Sequence, residues 1–112
     1  MNAKRGEIWL VDLNPTRGHE QSGVRPAVII SVDEFNSCAA ELVVVVPITS
    51  KNKNIPLHVE IQPENSGLAE VSFAKPEDIR SISKERLVKK IGQLPEVKMK
   101  ELEEKIKILL GL

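Results

Sequence analysis

Two short segments of the 112-residue chain concentrate groups that can donate protons or bind anions next to apolar runs. The first is Gly18-His19-Glu20-Gln21-Ser22-Gly23-Val24-Arg25-Pro26, which sets a carboxylate, an amide and a guanidinium in a polar loop between two apolar strands. Gly18 and Gly23 permit tight backbone geometry. Pro26 drives Arg25 toward an extended conformation that aims it along a strand edge. In the plainer interpretation, Glu20 and Arg25 pair and tie the loop down. The second segment is Pro47-Ile48-Thr49-Ser50-Lys51, where a very apolar strand ends on two hydroxyls and a cation. It suits either an ordinary strand terminus with turn-forming residues or a phosphate cradle, because hydroxyls and cations donate to phosphodiester oxygens.

Other chemistries find no support. The chain has no GxGxxG and no GxxxxGK[ST], so no nucleotide cradle is signalled. His19 and His58 stand far apart, neither in HxxxH nor beside a cysteine, so no metal site and no cofactor are expected. Nothing marks a nucleophile elbow. Cys38 is the single cysteine; it rules out an intrachain disulfide and is expected to be an inert loop thiol. Trp9, Phe35 and Phe73 are the only aromatic residues, too few for the stacking platform of an RRM-like RNA binder.

Sixteen Lys+Arg balance sixteen Asp+Glu, which argues against a uniformly basic nucleic-acid binder. The balance is uneven, however. Residues 1–74 carry six basic and nine acidic side chains, whereas residues 75–94 carry six basic (Lys75, Arg80, Lys84, Arg86, Lys89, Lys90) and three acidic. A polyanion can therefore be met by a local patch, although a solvated face explains the same charges.

The elements that must position these groups are short strands. Glu7–Asp12, Pro26–Ser31 and Leu42–Thr49 read as strands, the last with four consecutive valines that suit a pleated surface buried on both sides. Leu57, Val59 and Ile61 alternate with His58, Glu60 and Gln62, the pattern of a strand with one wet face. Ser72–Lys75, Ile79–Ile82 and Leu87–Gln93 are further candidates, and Asp33 to Glu41 reads as irregular. From Pro95 the period changes: Met99, Leu102, Ile106 and Leu109 form the stripe of an amphipathic helix that stops at Gly111. The expectation is one domain over residues 1–112, with strands over about 7–93 and a helix over about 95–110. Its fold class is mainly β (α+β), a small, partly open antiparallel barrel with the helix across an open end of the sheet. No apolar run approaches the roughly 18 residues of a membrane span, and no apolar leader region opens the chain, so no membrane partner and a cytoplasmic location are expected.

Five blocks in register carry a resemblance. Arg5-Gly6-Glu7-Ile8-Trp9, Asp12-Leu13-Asn14-Pro15-Thr16, Gly18-His19-Glu20-Gln21 with Arg25-Pro26, Pro47-Ile48-Thr49-Ser50, and the stretch Glu77-Asp78-Ile79-Arg80 with Ser83-Lys84-Glu85-Arg86-Leu87 look like the signature of the MazF/PemK family. These are the endoribonuclease toxins of toxin–antitoxin pairs. The resemblance implies an SH3-like barrel with a C-terminal helix, usually as a homodimer. It implies metal-independent cleavage of single-stranded RNA to 2′,3′-cyclic phosphate and 5′-hydroxyl ends. It implies a cognate antitoxin whose disordered tail occupies the RNA groove. It points to Arg25 and Thr49 as catalytic residues. In some members an arginine and an aspartate two apart take that role; here those positions hold Lys75 and Glu77, so the chemical classes persist and the identities differ.

Such cleavage by the RNA's own 2′-hydroxyl needs a proton acceptor at the 2′-oxygen, cationic donors at the pentacoordinate phosphorus and a proton donor at the 5′-oxygen. Arg25 and Thr49 suit the oxyanion contacts; a guanidinium, which holds its proton throughout the working pH range, is a poor proton shuttle. Glu20 and Glu77 are both candidates for the base. Gln21, Ser50, Lys75, Glu77, Arg80 and Arg86 are expected to bind substrate. The competing expectation is a toxin of the same barrel that binds a protein such as gyrase and does no chemistry, as in CcdB-type toxins. Those use an aromatic near the C-terminus, where this chain ends Ile108-Leu109-Leu110-Gly111-Leu112.

Overall fold

The computed structural model describes residues 2–14 and 23–112, so Gly18, His19, Glu20 and Gln21 lie outside the described residues. The elements run β1 (Glu7–Asp12), β2 (Val24–Ile29), a single-turn helix α1 (Asp33–Asn36), β3 (Leu42–Thr49), β4 (Val59–Ile61), β5 (Ser72–Ala74), β6 (Arg80–Ser83), β7 (Leu87–Gln93) and α2 (Glu96–Leu110). A 3-10 turn, Pro76–Asp78, leads into β6, and a second, Lys84–Arg86, leads into β7. The strands form a curled antiparallel sheet ordered β4-β5-β3-β2-β1-β7, with β6 also pairing β3. This is the mainly β, half-barrel architecture with one C-terminal helix expected above.

Strand β3 is the axis of the fold because it exchanges neighbours along its length. Its first half, Leu42–Val45, pairs with β6, and its last residues, Ile48 and Thr49, pair with β5 on that same side. On the other side, Val45–Pro47 pairs with β2. The β-branched run permits this because both faces of the strand are buried. Val43 and Val45 join Trp9, Val11, Leu13, Ala27, Ile29, Ile82 and Leu87 in one core. Val46 and Ile48 join Ile8, Val28, Val59, Ile61, Ala74 and Leu94 in a second core on the opposite face. Successive side chains of a strand point to opposite faces, so a run of valines feeds both cores at once. Pro47 donates no hydrogen bond, but its carbonyl accepts from the Lys75 N–H at 2.9 Å, which anchors the chain after β5.

Helix α2 covers the second core with Met99 and Leu102, and Ile106 packs on it partly buried. It therefore lies over a sheet face and not across an open end. The second core exists because β2, β3 and β1 carry apolar residues on both sides, and the helix stripe covers that outer face. The helix ends in a Schellman arrangement: Gly111 takes φ +72, and the Leu112 N–H donates to the Lys107 carbonyl at 2.9 Å. The Arg5 guanidinium ties α2 to the sheet by donating to Glu103 Oε2 and to the Ile30 carbonyl. Among the described residues, no helix is long and apolar enough to cross a membrane.

His58 differs from its expected place on a wet face. Its side chain is 3% exposed, and its Nε2 lies 2.6 Å from Glu77 Oε2. The 3-10 turn that carries Glu77 follows β5 directly, and β5 pairs with β4, so chain connectivity brings that carboxylate to the imidazole.

Candidate active site

The end of β3 forms the floor of a cleft of about 330 Å³. Its residues are Ile48, Thr49, Ser50 and Lys51 from the end of β3 and just beyond, with Lys53 further along the same loop. Arg25 and Pro26 of β2 line one side, and Leu68, Ala69, Glu70 and Ser72 line the other. Sheet register explains the convergence. β2 and β3 pair Ala27 with Pro47 and Val28 with Val46. Continued by two residues, that register sets Arg25 opposite Thr49. On the other side Ile48 pairs with Ala74 and Thr49 with Phe73, which brings the segment leading into β5 alongside Ser50.

Thr49 is 8% exposed, and its Oγ1 accepts the Lys51 N–H at 3.2 Å. A hydroxyl has one proton and two lone pairs. With a lone pair engaged by the backbone, the proton remains for an anionic oxygen in the cleft. The same bond turns the chain so that Ser50 and Lys51, both exposed, follow the buried threonine. Arg25 is exposed at the start of β2, held by the β1 register that pairs it with Val11. A cation and a polarised hydroxyl beside one concavity are suited to binding a phosphoryl group and to stabilising charge that develops on it.

The other expected site residues are placed differently. Lys75 is 5% exposed and its Nζ meets Asp78 Oδ2 at 2.8 Å, so this ammonium is held within the fold. Glu77 engages His58, as described, and does not line the cleft. Arg80 sits on β6, paired across to Val45, also away from the cleft. Arg86 Nη1 donates to the Asp12 carbonyl at 3.0 Å and to the Asn14 carbonyl. It thereby braces the chain next to residue 14, where Asn14 Oδ1 also accepts the Gly23 N–H at 3.0 Å. Ser50 is the one proposed binding residue that joins Arg25 and Thr49 in the cleft among the described residues.

Sequence reasoning missed the wall formed by Leu68, Ala69, Glu70 and Ser72. No motif marks it: it is a loop stretch that reaches the site through the short β5 pairing. It also missed the buried carboxylate of Glu7. Glu7 Oε1 accepts the Trp9 indole N–H at 3.0 Å and the Lys4 N–H at 2.8 Å, while Oε2 meets Lys90 Nζ at 3.0 Å. Burial alone would raise its pKa. The Trp9, Lys4 and Lys90 donors outweigh that effect and hold the carboxyl below its ordinary 4.5.

The comparisons agree with this architecture. The family of PemK-like, MazF-like toxins of type II toxin–antitoxin systems matches residues 4–110. Endoribonuclease MazF9 of Mycobacterium tuberculosis (strain ATCC 25618 / H37Rv) is 40% identical over 114 residues, covering 97% of each chain. Among solved structures, MazF (Form-I) from Deinococcus radiodurans superposes with a TM-score of 0.88 at 26% identity, covering 100% of this chain and 99% of that one. The MazE–MazF (Form-II) structure from the same organism gives 0.81 at 26%, covering 100% and 98%. Because the family match runs through β1, the cleft strands and α2 alike, this chain belongs to the PemK-like, MazF-like toxins of type II toxin–antitoxin systems.

Proposed function

We propose that this toxin is an endoribonuclease that cuts single-stranded RNA by attack of the RNA's own 2′-hydroxyl, leaving 2′,3′-cyclic phosphate and 5′-hydroxyl ends. The observation that carries it is the meeting of Arg25, Thr49 and Ser50 in one cleft. The relative named as an endoribonuclease, 40% identical over 97% of both chains, supports the same activity. In this mechanism the scissile phosphate lies over the end of β3. Arg25 neutralises the charge that builds on the non-bridging oxygens, and the Thr49 O–H donates to one of them. Ser50 and Lys51 hold the flanking backbone, and as the P–O5′ bond breaks the departing 5′-oxygen takes its proton from solvent. The 2′-hydroxyl needs a proton acceptor, and Glu20 is the assigned base. The engagement of Glu77 by His58, away from the cleft, argues against the other candidate.

The toxin is expected to work in the cytoplasm, where its RNA is, and to be silenced there by a cognate antitoxin. A solved MazE–MazF complex with this fold supports such a partner. A homodimer is the expected assembly. The exposed Ile108, Leu110 and Leu112 at the end of α2 offer apolar surface for a second copy. The CcdB-like alternative is disfavoured by the family match.

The test is cleavage of a defined mixed-sequence RNA in EDTA by the wild type and by Arg25→Ala. Discrete cuts ending in cyclic phosphate, lost in a folded Arg25→Ala variant, are expected. A 2′-deoxy substitution at the cut site should block cleavage and leave binding intact. Full activity of the variant, or cutting of the deoxy analogue, overturns the mechanism.

A further inference from the structure

The cleft has two chemically different sides, and the mechanism uses only one. Arg25, Thr49, Ser50, Lys51 and Lys53 supply cations and hydroxyls. The facing segment supplies apolar Leu68 and Ala69, and then Glu70. Glu70 is exposed, and among the described residues its carboxylate takes part in no hydrogen bond or ion pair, although Lys51 and Lys53 line the same cleft. Its backbone is fixed: the Glu70 carbonyl accepts the Ser72 hydroxyl at 2.9 Å, and Ser72 opens β5 at 5% exposure. The carboxylate is therefore presented from an anchored position and is not spent on holding the fold.

Register says what it can reach. Arg25 belongs to β2 and Glu70 to the lead-in of β5, and these flank β3 on opposite sides. Two strand spacings, about 10 Å, separate them across the sheet, and an offset of three residues along it is added because Glu70 precedes Phe73, the partner of Thr49. A carboxylate that far from the phosphate seat cannot attend the 2′-oxygen, which lies next to the phosphorus. It is placed instead to meet the base of a nucleotide whose phosphate rests on Arg25 and Thr49, with Leu68 and Ala69 against the face of that base.

Resting on the ribonuclease activity proposed above, we infer that Glu70 is a specificity-determining residue that selects guanine next to the cut. An ionised carboxylate only accepts hydrogen bonds. The Watson–Crick edge of guanine offers two parallel donors, N1–H and the N2 amino group, one for each carboxylate oxygen. Uracil presents two carbonyl oxygens around a single N–H, which places negative charge against negative charge. Bases of single-stranded RNA expose these edges for such recognition, and one bidentate pair discriminates by roughly ten- to a hundredfold.

The experiment is cleavage of an RNA pool randomised around the cut, with sequencing of the ends, for the wild type, Glu70→Ala and Glu70→Gln. The wild type should favour guanine over uracil at one position flanking the cut. Glu70→Ala should flatten that ratio by about tenfold or more, chiefly by slowing cleavage at guanine while cleavage at uracil is retained. Glu70→Gln, which replaces one acceptor oxygen with a donor, should also weaken it. Trp9 fluorescence checks that both variants are folded. An unchanged base profile in Glu70→Ala overturns the assignment, as does an equal loss of rate on every substrate, the sign of a catalytic base. A wild type that cuts no RNA overturns the ribonuclease proposal itself and this assignment with it. Cutting with an unaltered profile overturns only the role of Glu70.

Discussion

Glu7 offers the sharpest test of how the fold is held together. Its side chain is 9% exposed and receives three donors, two of them on one oxygen. Glu7→Ala leaves the buried Trp9 indole N–H without an acceptor, a penalty of about 1–3 kcal/mol. The Lys4 N–H, nearer to water, adds up to roughly 1 kcal/mol. Lys90 is 51% exposed, so that ion pair contributes at most about 1 kcal/mol and is screened by salt. The sum is about 1–5 kcal/mol. At roughly 4 °C per kcal/mol for a chain of this size, the melting temperature should fall by about 4–20 °C. Glu7→Gln keeps an acceptor for Trp9 and loses the charge, so it should cost about half as much.

The pH dependence separates charge from shape. A carboxyl whose folded pKa lies below its unfolded value adds stability above the unfolded value and loses it as pH falls through the folded one. The wild type should therefore lose this contribution below about pH 4.5. Glu7→Gln should start less stable at neutral pH and show a shallower acid limb. Trp9 is the only tryptophan and is bonded to Glu7, so its fluorescence in denaturant and pH titrations reads the site directly. Protein concentration must be held constant, because association would stabilise the folded form. A Glu7→Ala variant melting within a few degrees of the wild type, or a Glu7→Gln variant with an unchanged acid limb, would refute this reasoning.

Two further outcomes follow from the geometry. Thr49→Val keeps the volume of a nearly buried side chain and removes the hydroxyl; cleavage should drop by roughly 10²–10³ in rate, with a stability loss of about 0.5–1.5 kcal/mol, read by single-turnover kinetics and a denaturant melt. Gly92→Ala would put a Cβ 2.1 Å from the Ser66 carbonyl oxygen, where β7 passes against the backbone of the 63–67 turn, so the variant should lose at least about 1–3 kcal/mol in thermal unfolding.

The three strands that build the main sheet, and the helix, were legible in the chain because their signals are local. The Leu42–Thr49 run has the observed bounds of β3, and Glu7–Asp12 those of β1. The stripe Met99, Leu102, Ile106 identified the buried face of α2. Arg25 and Thr49 were found through residue types and family spacing, Arg25 directly before Pro26 and Thr49 two residues after Pro47. His58 was misplaced because alternation reports which residues share a face, not what will cover that face. The turn at Pro76–Asp78 provides the cover, and no period within 57–62 encodes it.

By itself the sequence determined the period of each element, the chemical groups at the cleft and the family that shares them, because these depend on neighbours along the chain. The tertiary structure alone decided which of those groups meet. Arg25 and Thr49 line one cleft beyond the β2–β3 pairing, Lys75 and Glu77 are drawn into contacts with Asp78 and His58, and Glu70 arrives through the pairing of β5 with β3. Pairing register and burial arise between segments distant in sequence, and it is those long-range contacts that decide which side chains line the cleft and which lie elsewhere in the fold.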